Sequence, residues 1–316
     1  MKIIALDAQT MNPGDLSWDP IRELGELTVY DHTPPEKVTD RAAEAEVVLV
    51  NKVQLRREEL AALPKLRCIC VTATGYNNID VPAARERGIP VCNAVGYSSD
   101  SVAQHVFALL LELTNRVGAH DRSVRNGDWE RSADFSYTLG RIPELAGRTF
   151  GVYGFGRIGQ RVGELARAFG MDVLATHSHP ERDARPWVRF VPLDALFAES
   201  DVLSLHAPLR EENRGLVNAD RLAAMKSGAY LINTGRGGLV DEPALAAALE
   251  KGQIAGAAVD VLSTEPPKGG NVLIGAPNCL VTPHVAWATR EARERLLEIT
   301  AENIRAFLEG RPQNLI

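Results

Sequence analysis

Aromatic residues make up only 6% of this sequence, and cysteine and methionine occur four times each in 316 residues. The cysteines, Cys68, Cys70, Cys92 and Cys279, have no paired metal-ligand spacing and are too few for a disulfide scaffold. Buried, reduced thiols are therefore expected, in a reducing compartment with the cytoplasm as the default. Positive charge is not in excess either: 35 Lys and Arg stand against 41 Asp and Glu, a formal net charge of -6. On average that composition lacks the positive field that a nucleic acid or an anionic membrane surface requires. Long hydrophobic runs are missing as well. The longest, 106–113, is interrupted by Glu112 and falls well short of the ~20 residues of a membrane helix. Met1-Lys2-Ile3-Ile4-Ala5-Leu6-Asp7 reads as a short strand reaching an acid, not as a secretory leader. No repeat of solenoid period and no low-complexity tract is present.

What is present is an ordinary globular balance, 45% hydrophobic and 24% charged. At ~150 residues per domain the length implies two domains. Short β-branched runs at 3–6, 27–30, 47–50, 68–71 and 89–91 alternate with helix-length stretches. A second series follows at 150–154, 173–175, 202–205, 230–233, 257–261 and 280–282. Continuous apolar strands separated by helices predict parallel sheets covered on both faces, an α/β class with two doubly wound domains. Between the series, Val102, Val106, Leu109, Leu110 and Leu113 recur at helical spacing behind the capping candidates Ser99 and Asp100. This helix is expected to bridge the domains. A charged amphipathic helix over 289–308, with Leu296, Leu297, Ile304 and Phe307 as its apolar members, is expected to return to the first domain. The predicted organisation is 1–100 plus 288–316 as one domain and 101–287 as the other, with a cleft between them as the ligand site.

Gly154-Phe155-Gly156-Arg157-Ile158-Gly159 is a GxGxxG pattern between an apolar strand and a helical stretch. In that context Gly154 makes a tight turn, Gly156 lets a pyrophosphate approach the backbone, and Gly159 lets helix and strand pack closely. The free amides and positive dipole end of the helix face the phosphates. The dinucleotide fingerprint also expects an acid ~20 residues on, to bind the adenosine ribose. His177 stands there instead, followed by Ser178, and no carboxylate appears before Glu181. Nothing in that stretch repels a 2′-phosphate, and Ser178, His179, Arg182 or Arg185 can contact one. NADP(H) is therefore weighed slightly ahead of NAD(H).

Three further clusters follow in order: Asn233-Thr234-Gly235-Arg236-Gly237-Gly238, Asp260-Val261-Leu262-Ser263-Thr264-Glu265-Pro266, and Thr282-Pro283-His284-Val285-Ala286-Trp287. With the glycine loop and the early Ala73-Thr74-Gly75-Tyr76-Asn77-Asn78-Ile79-Asp80, the chain resembles the D-isomer-specific 2-hydroxyacid dehydrogenases over essentially its whole length. Within that family Asn12-Pro13-Gly14-Asp15, the stretch from Tyr97 to Ala103 and Glu265-Pro266-Pro267 are most similar to the glycerate dehydrogenase, or hydroxypyruvate reductase, branch. The resemblance implies a flavodoxin-like substrate domain and a Rossmann cofactor domain. It also implies hydride transfer between NAD(P)H and C2 of a small 2-keto acid, hydroxypyruvate or glyoxylate first, giving D-glycerate or glycolate.

Such a reduction builds negative charge on the carbonyl oxygen, so a proton donor and a fixed cation lower its barrier. His284 suits the donor because imidazole titrates near working pH. By resemblance, Glu265 orients that ring and Arg236 grips the substrate carboxylate through two parallel N–H bonds while polarising the carbonyl. The amides of Thr74 and Gly75 are implied to hold the same carboxylate. Asp260 is placed near the nicotinamide end, and Thr234, His206, Pro208 and Asn213 beside the cofactor. No catalytic metal is expected, since the remaining histidines form no ligand spacing. The resemblance further implies a homodimer joined through 101–116, although packing inside one subunit would also use those apolar residues. Phosphoglycerate, another acid or formate stay open as substrates. A nicotinamide-sensing scaffold akin to co-repressors is the alternative of a different class.

Overall fold

Short runs of valine, isoleucine and leucine become strands, as their shape favours, in the computed structural model, which describes residues 1–316. Every pairing between strands is parallel. Two compact units result, Met1–Ser98 with Ala288–Ile316, and Ser99–Trp287.

The first unit is a five-stranded sheet in the order β2-β1-β3-β4-β5, with β1 Lys2–Ala5, β2 Glu26–Val29, β3 Val47–Val50, β4 Cys68–Val71 and β5 Val91–Cys92. This is the flavodoxin-like order, which reverses direction between β1 and β3. The central strands β3 and β4 are buried along their whole length, as parallel strands covered on both faces must be. Strand β5 lies one to two residues beyond the predicted 89–91. Pro90 has no amide to give, although its carbonyl still accepts from Ile69 at 3.0 Å. Helix Arg290–Leu308, capped by the Thr289 hydroxyl, buries Leu296, Leu297 and Ile304 and packs on β4. At the end of β1 the Asp7 carboxylate accepts the amides of Asn51, Lys52 and Val53 at 2.7, 2.5 and 2.8 Å, which fixes the turn after β3. Burial pushes the Asp7 pKa up in spite of these bonds.

The second unit is a seven-stranded sheet in the order β12-β11-β10-β9-β6-β7-β8. Its strands are β6 Thr149–Tyr153, β7 Asp172–Thr176, β8 Val188–Phe190, β9 Val202–Leu205, β10 Tyr230–Asn233, β11 Gly256–Val259 and β12 Cys279–Val281. Counted from β6, this is the doubly wound dinucleotide-fold order extended by one strand, with its reversal between β6 and β9. Strand β8 was not predicted: it is a three-residue edge with no fully buried position. Alternate residues feed two cores, Val202, Ile232 and Ala258 on one face and Leu203, Leu231 and Ala257 on the other.

Helix Ser99–Asn115 belongs to this unit and lies along helix Arg157–Ala168. Phe107 stacks on Phe150 and Phe169 at centroid distances of 5.8 and 5.0 Å. Ser99 is the first residue of the helix, not a cap before it. Val102, Val106, Leu109, Leu110 and Leu113 are all buried in the same core. One face of the helix thus packs inside the unit, as those residues' spacing predicts. No helix is long and apolar enough to cross a membrane.

Candidate active site

Loops at the C-terminal ends of β6, β7, β9, β10 and β11, together with the one after β12, carry nearly all the residues singled out in the second unit. The end of β6 turns at Gly154, whose φ of +93° is a left-handed conformation that only glycine adopts freely. A Cβ there would lie 2.6 Å from the amide nitrogen of Ala207. At Gly159 a Cβ would meet the carbonyl oxygen of Gly154 at 2.2 Å, so the helix sits directly on the turn. At Gly156 a Cβ would meet nothing within 4 Å. Nothing within the chain therefore demands glycine at this position, whereas a pyrophosphate seated against the backbone does. No side chain caps the helix that starts at Arg157, and its first amides point into that space as an anion site. Ile158 packs back onto the core and Arg157 is exposed. The turn fits a dinucleotide.

Beyond β7 the structure revises one expectation. His177 Nε2 lies 2.8 Å from Oδ2 of Asp183, which the short helix Pro180–Asp183 brings back to the strand end. Arg182 donates to the same oxygen at 2.6 Å, and Gln160 Nε2 donates to Oδ1 at 3.2 Å. Arg182 first, and His177 after it, hold the Asp183 carboxyl at about 2. A carboxylate from beyond Glu181 is thus folded back to the strand end, while Glu181 itself is exposed, 3.7 Å from His179. Ser178 is exposed. Arg185 donates to Oε1 of Gln160 at 2.5 Å.

After β9, His206 Nε2 is 2.8 Å from the buried Ser204 hydroxyl, and burial pulls its pKa down to about 3. Asn213 is an internal strut of its loop: Nδ2 donates to the Pro208 carbonyl at 2.9 Å, and Oδ1 accepts the Arg210 amide at 2.7 Å. After β10 the Asn233 side chain closes the turn by accepting from Gly235 at 3.0 Å and donating to the Arg236 carbonyl at 2.9 Å. The Arg236 guanidinium donates to the Gly235 carbonyl at 2.8 Å. Thr234 Oγ1 is buried without a hydrogen-bond partner, an orphan that a bound ligand would satisfy.

Glu265 and His284 are brought together, with Oε2 2.6 Å from Nδ1. The other oxygen, Oε1, accepts the Leu262 amide at 2.9 Å. A carboxylate on Nδ1 fixes ring orientation and tautomer and leaves Nε2 for proton exchange. His284 has φ +55°, rare for a residue with a Cβ. The loop is held there by Asp260, which is 1% exposed. Its Oδ1 accepts the Thr282 hydroxyl at 2.6 Å and the Val285 amide at 2.9 Å, and Oδ2 accepts the Ala286 amide at 2.8 Å. Burial alone would raise the Asp260 pKa, yet hydrogen bonds from His105, Thr282 and the two amides outweigh it and keep the group ionised. His105, unassigned from sequence, adds a contact of 3.1 Å to Thr282. Asp183 and His105 are the supporting residues that sequence reasoning missed. No spacing rule points to either.

In the first unit, Thr74 and Gly75 follow β4. The Thr74 hydroxyl donates to Ala94 at 2.8 Å, and its carbonyl accepts from Asn93 at 2.7 Å. The amides of Thr74 and Gly75 donate to no backbone carbonyl. No three His, Cys, Asp or Glu side chains are grouped so as to hold a metal ion.

The family described as D-isomer specific 2-hydroxyacid dehydrogenase, NAD binding domain, matches residues 107–286. A hydroxypyruvate reductase of Blautia hydrogenotrophica is 44% identical over 321 residues, covering 100% of this chain and 99% of its own. A glycerate dehydrogenase of Methylorubrum extorquens is 40% identical over 321 residues, covering 100% and 98%. Among solved structures, an acyclic imino acid reductase in complex with NADPH and D-Arg superimposes with a TM-score of 0.88 at 32% identity, covering 100% of both chains. Motifs, sheet orders and full-length similarity agree: this chain belongs to the D-isomer specific 2-hydroxyacid dehydrogenases and is an NAD(P)-dependent enzyme of that family.

Proposed function

We propose that the enzyme reduces a small 2-keto acid, hydroxypyruvate or glyoxylate foremost, to the D-2-hydroxy acid, and runs the reverse oxidation at the same site. The observation that carries this reading is the 2.6 Å pairing of Glu265 with a His284 held at positive φ. A reduced nicotinamide, when bound, supplies the hydride that reaches C2. As that bond forms, the carbonyl oxygen takes a proton from His284 Nε2, while the Glu265 carboxylate on Nδ1 holds the ring in orientation. Arg236 binds the substrate carboxylate and stabilises charge growing on the carbonyl oxygen. Thr74 and Gly75 offer amides to the same carboxylate, a role supported by their lack of backbone partners. The turn Gly154, Gly156, Arg157, Ile158 and Gly159 takes the pyrophosphate. Thr234, His206 and Pro208, all just past strand ends, are assigned to the cofactor, with Asp260 toward its nicotinamide end. Names of the two relatives, hydroxypyruvate reductase and glycerate dehydrogenase, support the substrate choice.

NADP(H) is placed slightly ahead of NAD(H). The one carboxylate at the end of β7, Asp183, is charge-paired with Arg182. His177, Ser178, His179 and Arg185 complete a surround that tolerates a 2′-phosphate. Loss of absorbance at the reduced-nicotinamide band, with hydroxypyruvate, glyoxylate and pyruvate and each reduced cofactor in turn, tests both choices. A preference for NADH above about tenfold in kcat/KM, roughly 1.4 kcal/mol, overturns the cofactor assignment. His284→Ala should lower kcat on the order of 10²- to 10⁴-fold, the scale of a lost general acid, with cofactor affinity retained. An unimpaired variant removes His284 from the chemistry.

We also propose a homodimer, joined through 101–116 and the segment that follows it. Val117, Trp129, Phe135 and Ile142 are exposed by 64, 52, 90 and 44%, an unusual density of apolar side chains at the surface. Light scattering at micromolar concentration should give twice the chain mass, and Phe135→Glu should shift it toward one. A monomeric wild type overturns the proposal.

A further inference from the structure

Glu242 is a buried carboxylate, 8% exposed, at the first position of helix Glu242–Glu250. The helix does not need it as a cap, because the Asp241 side chain already accepts from Ala244 at 3.1 Å. Both Glu242 oxygens are spent on a different segment. Oε1 accepts the Ser263 amide at 2.7 Å, while Oε2 accepts the Ser263 hydroxyl at 2.7 Å and Asn271 Nδ2 at 2.8 Å. Ser263 and Asn271 lie at the two ends of the loop that contains Glu265, so one carboxylate ties the loop shut. Three donors and the positive end of the helix offset the cost of burying its charge.

The Ser263 amide is neighbour to the Leu262 amide, which donates to Glu265 Oε1. Two consecutive amides thus serve two carboxylates, Leu262 for Glu265 and Ser263 for Glu242. The peptide between them also abuts the loop of Arg236: a Cβ on Gly237 would fall 1.9 Å from the Leu262 carbonyl carbon and 2.3 Å from the Ser263 nitrogen. Asp260 pins the loop of His284 in the same manner, so each member of the imidazole–carboxylate pair has its own buried acid behind it.

We infer that Glu242 is a positioning residue for hydride transfer: by fixing the 262–271 loop it sets Glu265 at hydrogen-bond distance from His284. The inference rests on the roles proposed above for Glu265 and His284. It differs from a plain stabilising strut, which would lower stability without regard to Glu265. Glu242→Gln keeps shape and size but places an amide against donors from Ser263 or Asn271.

The test is a double-mutant cycle on the purified enzyme, with hydroxypyruvate and the preferred reduced cofactor. Glu242→Gln alone should lower kcat on the order of 10- to 10²-fold, the scale of a misplaced catalytic group. Cofactor affinity should stay within about twofold and KM for the keto acid within about threefold, so that the loss sits in kcat. In a Glu265→Gln background the same change should cost less than about twofold. Ser263→Ala, which removes one hydroxyl, should give a smaller loss of the same kind and covers the case in which the Glu242 variant does not fold. Equal losses in both backgrounds, or a loss confined to KM with kcat unchanged, overturn the inference. A fully active Glu265→Gln enzyme overturns it too, by a separate route, since it removes the reading of Glu265 itself.

Discussion

Gly156 and Gly159 stand three residues apart, yet opposite consequences follow from adding one methyl group to each. At Gly159 the methyl would press on backbone, which cannot give way as a flexible side chain can. Gly159→Ala is expected to destabilise the fold by about 1–3 kcal/mol, the range for overpacking, and to weaken cofactor binding only as a by-product. At Gly156 the backbone is extended, with φ -78° and ψ -162°, and the space beside it is open. There Ala should stabilise the apoprotein by about 0.4–1 kcal/mol, through lost freedom of the unfolded chain. The same methyl would stand in the path of the pyrophosphate and should weaken cofactor binding at least about tenfold. Denaturant melts of the apo variants, paired with cofactor titrations, separate the effects. A Gly156→Ala protein that binds cofactor like wild type would take the pyrophosphate away from this turn.

At the scale of elements, what the sequence made legible is what repeats locally. Strands β3 and β4 are four-residue apolar runs buried along their whole length, and β9 departs from that only at Ser204, so composition alone marks them. Strand β8 is an edge of three residues, Val188, Arg189 and Phe190, with the arginine exposed, and it carries neither a continuous apolar run nor period-two burial deep enough to register. The helix at 99–115 was legible because Val102, Val106, Leu109, Leu110 and Leu113 recur at helical spacing, and all five are buried. Glu265, His284 and Arg236 were legible through their clusters; the groups that hold them were not. Asp183 reaches His177 by a fold-back through a single helical turn. Glu242 reaches Ser263 across 21 positions of sequence. In sequence both acids read as ordinary first-turn or surface carboxylates, and only the topology that brings strand ends together gives them neighbours.

For the molecule as a whole these buried groups set how stability answers to pH. His206 is held near a pKa of about 3 by burial, whereas the unfolded chain protonates a histidine near ~6.5. Between those values the unfolded state carries a proton that the folded state refuses, so stability is intact above ~6.5 and falls with falling pH, by at most about 1.4 kcal/mol per pH unit. At pH 5 this amounts to about 2 kcal/mol. Asp183 acts in the same direction lower down: its depressed pKa of about 2 gives stability that is present above the ordinary value of 3.8 and is lost as pH falls toward 2. Asp7 opposes both, because its raised pKa lets the folded state hold a proton that the unfolded chain has released. Its effect begins near the ordinary carboxylate value and runs upward from there, so the comparison with a His206 variant, in which Asp7 is unchanged, isolates the histidine. His206→Asn keeps a polar group toward Ser204 and removes the titration. Urea melts of the apoprotein at pH 6.5, 5.75 and 5.0 should show wild-type stability falling along this slope, with the variant nearly flat. A variant that keeps the wild-type slope would show that the acid sensitivity arises elsewhere, and that the His206 ring takes up its proton in the folded state.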